Sequence, residues 1–364
     1  MAAVLAMRAR ERPDDVALLH EGEQVTWGEL DSRVTVLARS LRLEPGSPVG
    51  VLMGGHLEHV IAVYAVWRAG GIWVPVNPLL GMRDLAHIVE TSGLRRVLAD
   101  EGLRGLAETL AETSTLHELP QDDGELRDVP AGNDAAIAFT SGTTGQAKGV
   151  VLTHRALRCQ TRAVVDHYAA GPDDVWLSLL PLHLLSIFLA GPALATEAGA
   201  RCRILPRYDA LGFAEAVQRD GTTICAAVPV LFADLVALPP ARAAEVDLSS
   251  LRIVSCGGAP LSHELRERFE ARYDFRIVQA FGGTEAPGIV ATDPVAGDRR
   301  PGSVGRSLPH VRISAIDDDW NDLPPGEVGD LCTAPSSPGE YEPMRAYLGS
   351  PGATAEALRG DRLR

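Results

Sequence analysis

Lysine is almost missing from this sequence. Of its 34 basic residues only Lys148 is a lysine, and all the others are arginines. A lysine is a compact, mobile point charge with three donors, whereas an arginine presents a planar fork, so the two are not interchangeable. On its own, one remaining lysine is most simply explained as a chance surface residue. Its neighbours must decide whether it has a function.

Cysteine is also scarce. The five cysteines are odd in number and widely spaced, and no Cys-x-x-Cys pair occurs. This pattern excludes a disulfide scaffold and a zinc site of that type, and it indicates reduced thiols in a cytoplasmic protein.

Basic residues are fewer than acidic ones, since 34 basic and 48 acidic residues give a net charge of −14. That field repels a phosphate backbone, so we expect no nucleic-acid partner.

One long stretch lacks charge and needs a membrane test. Residues 175–196 carry no charged side chain, and a segment of this length could in principle cross a bilayer. The stretch contains Pro181, Pro192 and His183, and lipid cannot satisfy the backbone groups that prolines free. We interpret it as a buried strand followed by a core helix, and we predict no membrane association.

The chain is too long for one ordinary core, since 364 residues predict two or three folding units. Up to about residue 287, strand and helix patterns alternate, which predicts an α/β protein with parallel sheets and right-handed crossovers. Thr26 and Glu29 have the spacing of a capping box at a helix start. After Pro287, short alternating runs such as residues 311–316 predict a smaller antiparallel β-unit.

The strongest local signal surrounds the single lysine. Residues 138–149 read Ala-Phe-Thr-Ser-Gly-Thr-Thr-Gly-Gln-Ala-Lys-Gly between two apolar strands. The two glycines before the lysine, Gly142 and Gly145, allow close backbone approach, four hydroxyls add donors and Lys148 adds a cation, which together predict a phosphate-binding loop. It is not a Walker A loop, because Ala147 precedes the lysine and Gly149 follows it. The alternative, a flexible linker, leaves the lysine and the apolar flanks unexplained.

Two further blocks follow predicted strands. Residues 279–285 read Gln-Ala-Phe-Gly-Gly-Thr-Glu: Phe281 offers a face for a base, Thr284 a hydroxyl and Glu285 oxygen ligands for a hard cation. Residues 256–261 read Cys-Gly-Gly-Ala-Pro-Leu, small enough for the edge of a flat ring. Open α/β sheets bind ligands at the carboxyl ends of their strands. Taken alone, Gly-Gly after a strand is usually a plain turn, and a turn is the better interpretation of residues 256–261 by themselves.

In this order, the three blocks resemble the adenylate-forming superfamily, in its acyl-CoA synthetase branch. Residues 140–149 match the family's phosphate loop with Ala147 in place of proline, and Phe281–Glu285 and Gly257–Pro260 match its other nucleotide blocks. The resemblance extends from about Arg12 to Arg364. It implies two layered parallel-sheet subdomains, residues 1–175 with the phosphate loop and 176–287 with the acyl pocket and adenine site, plus a small antiparallel β-barrel-like subdomain at 288–364.

The resemblance also assigns roles to residues. It implies ATP, Mg²⁺ and coenzyme A as cofactors, catalytic roles for Lys148, Thr284 and Glu285, and the metal site at Glu285. The implied nucleotide-binding residues are Thr140, Ser141, Gly142, Thr143, Thr144, Gly145, Lys148, Gly258, Ala259, Pro260, Phe281, Gly282 and Thr284. The implied acid-binding residues are His183, Phe188, Val228, Phe232, Cys256, Gly257, Gly282 and Gly283.

The implied reaction activates a carboxylic acid as an acyl adenylate and then forms a thioester. The predicted pocket carries no acidic residue to pair an amino group and is mostly apolar, which favours a hydrophobic acid over an amino acid. Gly283 stands where many relatives have a larger residue, which favours a bulky or cyclic acid. His183 is equally interpretable as a gate of the pocket or as a hydrogen-bonded core histidine.

The resemblance has a gap at its end. The family continues beyond the part matched here into a small C-terminal domain with a second catalytic lysine, and this sequence contains no second lysine. We therefore expect little or no adenylation by these 364 residues alone. The alternatives are a nucleotide- or acyl-binding module without turnover, an adenylating enzyme that feeds a carrier-protein thiol, and a kinase-like phosphotransferase. A kinase would release ADP rather than AMP and would need further metal carboxylates.

Overall fold

The computed structural model describes residues 1–120, 122–140 and 146–364. The helices in chain order are α1 (Ala2–Glu11), α2 (Trp27–Leu41), α3 (Leu57–Arg68), α4 (Met82–Ser92), α5 (Arg104–Glu108), α6 (His154–His167), α7 (Leu185–Phe188), α8 (Leu194–Ala198), α9 (Ala210–Asp220), α10 (Pro229–Ala237), α11 (Pro240–Ala243), α12 (His263–Tyr273) and α13 (Pro351–Ala357). A 3₁₀ turn, Glu101–Leu103, precedes α5, and a π-helical segment, Leu189–Ala193, joins α7 to α8.

The strands in chain order are β1 (Val16–His20), β2 (Glu23–Thr26), β3 (Pro48–Leu52), β4 (Ile72–Pro75), β5 (Arg96–Ala99), β6 (Glu112–Ser114), β7 (Asp134–Thr140), β8 (Lys148–Thr153), β9 (Val175–Ser178), β10 (Arg201–Ile204), β11 (Ile224–Ala227), β12 (Ile253–Cys256), β13 (Ile277–Gly283), β14 (Gly288–Thr292), β15 (Arg306–Ser307), β16 (Val311–Ile316), β17 (Asp330–Pro335), β18 (Ala346–Tyr347), β19 (Leu358–Arg359) and β20 (Arg362–Leu363).

These strands form three sheets. The first has the order β18-β8-β7-β4-β3-β5-β6, with a parallel centre and an antiparallel end at β7, β8 and β18. The second has the order β15-β14-β13-β12-β11-β9-β10-β1-β2, parallel from β13 to β1 and antiparallel at both edges. The third is a small antiparallel sheet, β16-β17-β20-β19. The predicted α/β class with an antiparallel β-unit is confirmed.

Strand pairing crosses the predicted subdomain boundaries in three places. β1 and β2 lie in the second sheet although they come from the first part of the chain, and β14 and β15 lie there although they follow residue 287. β18, near the end of the chain, pairs with β8 at the edge of the first sheet. An edge strand leaves backbone donors and acceptors free, and these pair with whichever segment reaches them in space.

The main core lies between the two large sheets. Residues from α2, α3 and α6, among them Leu30, Val60 and Leu157, pack in one cluster with Trp73 from the first sheet and Trp176 from the second. Separate clusters under α4 and under α9, α10 and α12 cover the outer faces of the two sheets. Helices on both faces explain why the central strands are apolar on both sides.

Local sequence signals explain several helix boundaries. Thr26 Oγ1 accepts from the Glu29 backbone N–H at 3.2 Å, and the Glu29 carboxylate accepts from the Thr26 N–H at 2.9 Å, so the predicted capping box is present. Gly93 ends α4 in a left-handed conformation at φ 67°, which a glycine adopts at little cost. Residues 311–316 form β16 as predicted.

The charge-free stretch has the predicted strand-and-helix form. It begins as the buried strand β9 and continues through α7, the π-helical segment and α8. Pro192 lies inside the π-helical segment, and the Trp176 indole N–H donates to the Ala190 carbonyl at 2.9 Å, which satisfies a group that the altered helix leaves free. Over the ranges that the structure describes, no helix is both long and apolar enough to span a membrane.

Candidate active site

The two sheets deliver the predicted motifs to strand ends. Ala227 pairs with Cys256 and Cys256 pairs with Gln279, so β11 and β12 end side by side, while the neighbouring β13 continues past them to Gly283. Val228 follows the first of these strands, residues 257–260 follow the second, and residues 281–283 end the third, with Thr284 and Glu285 directly after it. The predicted adenine block and the predicted metal block therefore share one edge of the second sheet, where parallel α/β sheets bind ligands.

The predicted phosphate loop lies between two strands of the first sheet. Thr140 ends β7, Lys148 begins β8, and the two residues are paired directly across the antiparallel ladder. Close packing explains the glycine after the lysine, because a Cβ on Gly149 would lie 3.2 Å from Ile137 Cγ2 and from Phe139 Cζ. Ser141, Gly142, Thr143, Thr144 and Gly145 lie outside the described residues, so their predicted roles stay predictions.

A histidine holds the chain just before the lysine. His87 Nε2 lies 2.8 Å from the Ala147 carbonyl oxygen, and its ring packs edge-on against Phe139 with centroids 6.0 Å apart. A carbonyl oxygen only accepts, so His87 donates from Nε2 and its Nδ1 accepts from the Thr91 hydroxyl at 3.3 Å. Helix α4 thereby fixes the backbone from which Lys148 projects.

Lys148 and Glu285 meet at one tyrosine. The Lys148 ammonium nitrogen lies 5.0 Å from the centroid of the Tyr347 ring, a cation–π distance, and the Tyr347 hydroxyl donates to Glu285 Oε1 at 2.9 Å. Lys148 comes from the first sheet and Glu285 from a turn of the second. The structure therefore brings the predicted phosphate-binding cation and the predicted metal ligand to a common point between the sheets.

Backbone contacts fix this junction. Ala346 and Tyr347 pair with Val151 and Val150 of β8, and the Met344 N–H donates to the Glu285 carbonyl at 2.7 Å. One short segment of chain therefore ties the edge of the first sheet to the turn that carries Glu285.

The carboxylate of Glu285 fits a shared cation site. Within the ranges the structure describes, no group of three or more His, Cys, Asp or Glu residues forms a metal cage. Mg²⁺ is usually held by one or two carboxylates together with substrate phosphates and water, so a single carboxylate beside a phosphate loop suits it. Tyr347 contacts Glu285 Oε1, and Oε2 is the oxygen that faces Gly283, 3.6 Å from where a Cβ on that glycine would lie.

The predicted adenine residues are accessible. Phe281 is 39% exposed although it is a large apolar side chain, and Gly258, Ala259 and Pro260 are exposed beside it. Gly258 has φ +77°, a left-handed conformation that favours glycine. Thr284 is half-buried next to Glu285. An exposed aromatic face next to small residues can accept a flat ring by stacking.

The predicted acid-binding residues divide into two groups. His183, Val228, Gly257, Gly282 and Gly283 are half-buried or exposed near the strand ends. Phe188, Phe232 and Cys256 have no exposed surface. Phe188 lies in the aromatic core, 4.9 Å from the Trp73 ring, and Phe232 packs 4.9 Å from Phe269. The direct contact with an acid predicted for these three residues stays a prediction.

The two glycines after Phe281 differ in the space around them. A Cβ on Gly282 would lie 1.7 Å from the Gly288 carbonyl oxygen, so this position requires glycine. A Cβ on Gly283 would meet only Glu285 Oε2, at 3.6 Å, an ordinary contact distance. Gly283 is therefore a position at which a side chain can be added, as the hypothesis of a widened pocket requires.

His183 lies on the loop between β9 and α7. Burial lowers the pKa of the His183 imidazole below 6.5. The pKa of the buried His59 is lowered mainly by its own burial, and a positive charge on the nearby His183 would lower it further. A neutral imidazole in a partly apolar loop is compatible with either interpretation made from the sequence, a gate or a core histidine.

Sequence patterns identified neither Tyr347 nor His87. Tyr347 belongs to a strand of two residues and contacts Glu285, 62 residues away. His87 lies on an amphipathic helix with no motif, and its partner Ala147 is 60 residues away. No local signal specifies such contacts, because they depend on which strand edge and which helix face meet the loop.

The matching protein family agrees with the geometry. The family described as AMP-binding enzyme matches residues 5–347. Feruloyl-CoA synthase of an Amycolatopsis species is 32% identical over 364 residues, covering 97% of this chain and 72% of the relative. The 4-coumarate–CoA ligase 5 of Oryza sativa subsp. japonica is 29% identical over 392 residues, with 97% and 70% coverage. Tyrocidine synthase 3 of Brevibacillus parabrevis is 29% identical over 365 residues, which are 96% of this chain but 6% of that protein.

Solved structures share the fold. O-succinylbenzoate coenzyme A synthetase (MenE) from Bacillus subtilis, in complex with AMP, superimposes with a TM-score of 0.88 at 24% identity, covering 99% of this chain and 93% of that one. Apo MatB from Rhodopseudomonas palustris gives a TM-score of 0.88 at 24% identity, covering 100% and 75%. Together with the motifs and their arrangement, these matches establish that the chain belongs to the AMP-binding enzyme family, in the acyl-CoA synthetase branch of the adenylate-forming superfamily.

Proposed function

We propose that this protein activates a hydrophobic carboxylic acid with ATP and transfers the acyl group to the thiol of coenzyme A. One observation carries the proposal: Lys148 and Glu285, predicted to bind phosphate and metal, contact the same tyrosine between the two large sheets. A mobile cation and a single carboxylate that contact the same tyrosine from two different sheets suit a triphosphate with its metal.

The chemistry proceeds in two displacements. A carboxylate oxygen attacks the α-phosphorus of ATP, the α–β phosphoanhydride bond breaks, and pyrophosphate leaves, giving an acyl adenylate. The coenzyme A sulfur then attacks the acyl carbon, the bond between that carbon and the adenylate oxygen breaks, and AMP leaves. The first step is needed because oxide is a poor leaving group from a carboxylate, whereas AMP is a good one.

The chain's own residues bind and orient the reactants. Lys148 neutralises charge on the β- and γ-phosphates, Phe281 stacks on adenine, and Thr284 donates its hydroxyl near the α-phosphate. Glu285 would hold a magnesium ion, which would supply positive charge against the phosphate oxygens. Positioning and charge neutralisation are the main sources of rate in this type of reaction.

The surroundings of the acid site favour an apolar substrate. Leu184 and Val230 are exposed large hydrophobic residues just after β9 and at the start of α10, close to the half-buried His183 and Val228. The predicted pocket residues include no carboxylate and no arginine. Feruloyl-CoA synthase and 4-coumarate–CoA ligase, two of the relatives, are named for acids with an aromatic ring, and open space at Gly283 supports a bulky acid.

The test uses the purified chain, ATP, magnesium and a panel of acids. The panel contains ferulate, 4-coumarate, dodecanoate, malonate and phenylalanine, with acyl-AMP, acyl-CoA, AMP and ADP measured by mass spectrometry. The matched variants are Lys148→Ala and Glu285→Gln. We expect only slow formation of acyl-AMP, detected after long incubation, from the aromatic or long-chain acids, with AMP as the nucleotide product. Activation of only malonate or phenylalanine, or release of ADP, would contradict the proposal.

Slow turnover is part of the proposal, because the single lysine is assigned to the phosphates. Binding is therefore measured in parallel, by calorimetry with MgATP and with sulfamoyl analogues of the acyl adenylates. We expect tight binding of an aromatic or long-chain analogue, weakened by Lys148→Ala for MgATP. Absence of binding by every nucleotide and analogue would overturn the assignment.

A further inference from the structure

Tyr347 touches two charged residues of opposite sign at once. We propose that Tyr347 is a positioning residue that holds Lys148 and Glu285 separately in place, so that the two charges stay available to the triphosphate and its metal instead of pairing with each other. The inference rests on the proposed function, because it concerns how Lys148 and Glu285 are held ready to bind MgATP.

The ring acts on Lys148. Its centroid lies 5.0 Å from the ammonium nitrogen, and a cation over an aromatic face is attracted by the ring quadrupole without losing its charge. A lysine has a flexible stem with several rotatable bonds, so an unsupported ammonium group samples many positions. The ring restricts those positions while the ammonium group keeps its positive charge for an anion.

The hydroxyl acts on Glu285. It donates to Oε1 at 2.9 Å, which orients the carboxylate and leaves Oε2 on the side of Gly283. A phenolic hydroxyl carries a proton and a carboxylate oxygen only accepts, so Tyr347 is the donor in this contact.

The backbone of Tyr347 is held on both sides. It pairs with Val150 of β8, its N–H donates to the Thr354 hydroxyl at 3.0 Å, and the next residue, Leu348, donates to the Gly149 carbonyl at 2.7 Å. A side chain on so constrained a backbone can hold two mobile groups. Without the Tyr347 side chain, the opposite charges of Lys148 and Glu285 would attract each other over several ångströms. A direct ion pair between them would then have to break before phosphate and metal could bind.

Two substitutions separate the two contacts. Tyr347→Phe keeps the ring and removes the hydroxyl, and Tyr347→Leu removes both. Calorimetry is run on the full chain with MgATP and with ATP in EDTA. We expect Tyr347→Phe to weaken MgATP binding about tenfold, as for one lost hydrogen bond to a charged group, and to leave ATP binding in EDTA unchanged. We expect Tyr347→Leu to weaken binding in both conditions, because Lys148 also loses its support.

The single lysine provides a readout that does not depend on the nucleotide. Protein labelled with ¹³C-lysine gives one set of lysine side-chain signals, all from Lys148. Protons above an aromatic face are shielded, so the ε-CH₂ signal should lie upfield in the wild type and in Tyr347→Phe, and should move downfield in Tyr347→Leu. In Tyr347→Leu the charged Lys148 and Glu285 side chains should pair, so adding Glu285→Gln, which removes one of the charges, should shift the Lys148 signal again.

Tyr341→Phe is the matched control. Tyr341 is buried and shares a hydrogen bond of 2.9 Å with the Thr333 hydroxyl, so the same atom is removed elsewhere in the same part of the chain. We expect Tyr341→Phe to lower thermal stability without changing either dissociation constant or the Lys148 signal. An unchanged lysine signal in Tyr347→Leu would overturn the inference, and so would equal losses in MgATP and metal-free ATP binding in Tyr347→Phe.

The binding data distinguish failure of the proposed function from failure of the inference about Tyr347. If the wild type binds neither form of ATP, the proposed function fails and this inference fails with it, whatever the lysine signal shows. If the wild type binds MgATP and Tyr347→Phe binds it equally well, only the inference fails.

Discussion

His87 Nε2 donates a 2.8 Å hydrogen bond to the carbonyl oxygen of Ala147, the residue immediately before the only lysine. The adenylate-forming family has proline at position 147, whose ring stiffens the backbone. In this chain a histidine from the neighbouring helix α4 restrains the same residue from outside. The placement of Lys148 thus depends on contacts that come from two other elements, α4 before it and β18 beside it.

The first prediction tests this restraint. His87→Phe keeps an aromatic ring against Phe139 but cannot donate to Ala147, so the backbone ahead of Lys148 loses one hydrogen bond. A typical net value of about 1 kcal/mol corresponds to ATP binding about fivefold weaker, measured by calorimetry. His117→Phe, at an exposed position, is the control. Equal affinities in His87→Phe and in the control would show that the contact does not affect the loop.

The second prediction compares two adjacent glycines. Gly282→Ala places a Cβ 1.7 Å from the Gly288 carbonyl oxygen, which forces backbone movement and should cost about 3 kcal/mol or more in urea unfolding. Gly283→Ala meets its nearest atom at 3.6 Å and should change stability by about 0.5 kcal/mol at most.

The same pair tests the width of the acid site. Gly283→Leu should weaken binding of an aromatic acyl-adenylate analogue more than that of a short-chain analogue, because the added side chain occupies the space offered to a bulky acid. Calorimetry with the two analogues measures the difference. Equal loss for the two analogues would refute the idea that Gly283 widens the pocket.

The third prediction concerns a buried ion pair in the second sheet. Arg203 of β10 and Asp220 at the end of α9 are 7% and 8% exposed and share two hydrogen bonds of 2.7 and 2.8 Å. Asp220→Asn leaves the buried guanidinium without its counter-charge, which should lower the free energy of unfolding by about 3 kcal/mol. Asp166→Asn is the control, because Asp166 pairs with Arg162 at 3.8 Å on the surface. Asp166→Asn should lower the free energy of unfolding by less than about 0.5 kcal/mol.

The fourth prediction is a loss of stability in mild acid. Burial lowers the pKa of His59 and His154 to about 3 and that of His310 to about 4. In the unfolded chain these groups titrate near 6.5, so between those values the unfolded state binds more protons. The stability from these residues is complete above about pH 6.5 and is lost as the pH falls towards 4.

The expected slope approaches about 4 kcal/mol per pH unit below pH 5.5, for three protons at about 1.4 kcal/mol each. His56 acts in the opposite direction: burial disfavours its charge, but hydrogen bonds with Glu58 and Asp100 raise its pKa overall, so its contribution is lost as the pH rises. Urea unfolding at pH 7, 6 and 5 measures the balance. His310→Gln should reduce the slope by about a third, whereas the exposed His263→Gln should not. Equal stability at pH 7 and 5 would contradict the prediction.

Much of the fold follows from short-range patterns. The capping box at Thr26 and the strand at 311–316 were predicted where the structure has them, because each depends on residues within a few positions of one another. The same holds for the strands that flank the phosphate loop. These features are local, and apolar periodicity and turn residues specify them.

Short-range patterns do not predict which sheet a strand joins or how deeply a single pocket residue is buried. The sequence alone does not assign β1 to the second sheet, and it cannot tell that Phe188 lies in the aromatic core while Phe281 stays exposed. These outcomes depend on which strand edges and helix faces remain free once the other elements have packed.

The sequence by itself determined the order of the motifs, and its single lysine predicted which cation a phosphate loop would use. Only the tertiary structure decided that Lys148 and Glu285 share one tyrosine, because that contact joins segments far apart in the chain. Local periodicity carries no information about such a meeting. Backbone pairing between β8 and β18 places Tyr347 beside Lys148, and the hydrogen bond from Met344 to the Glu285 carbonyl joins the same segment to the second sheet.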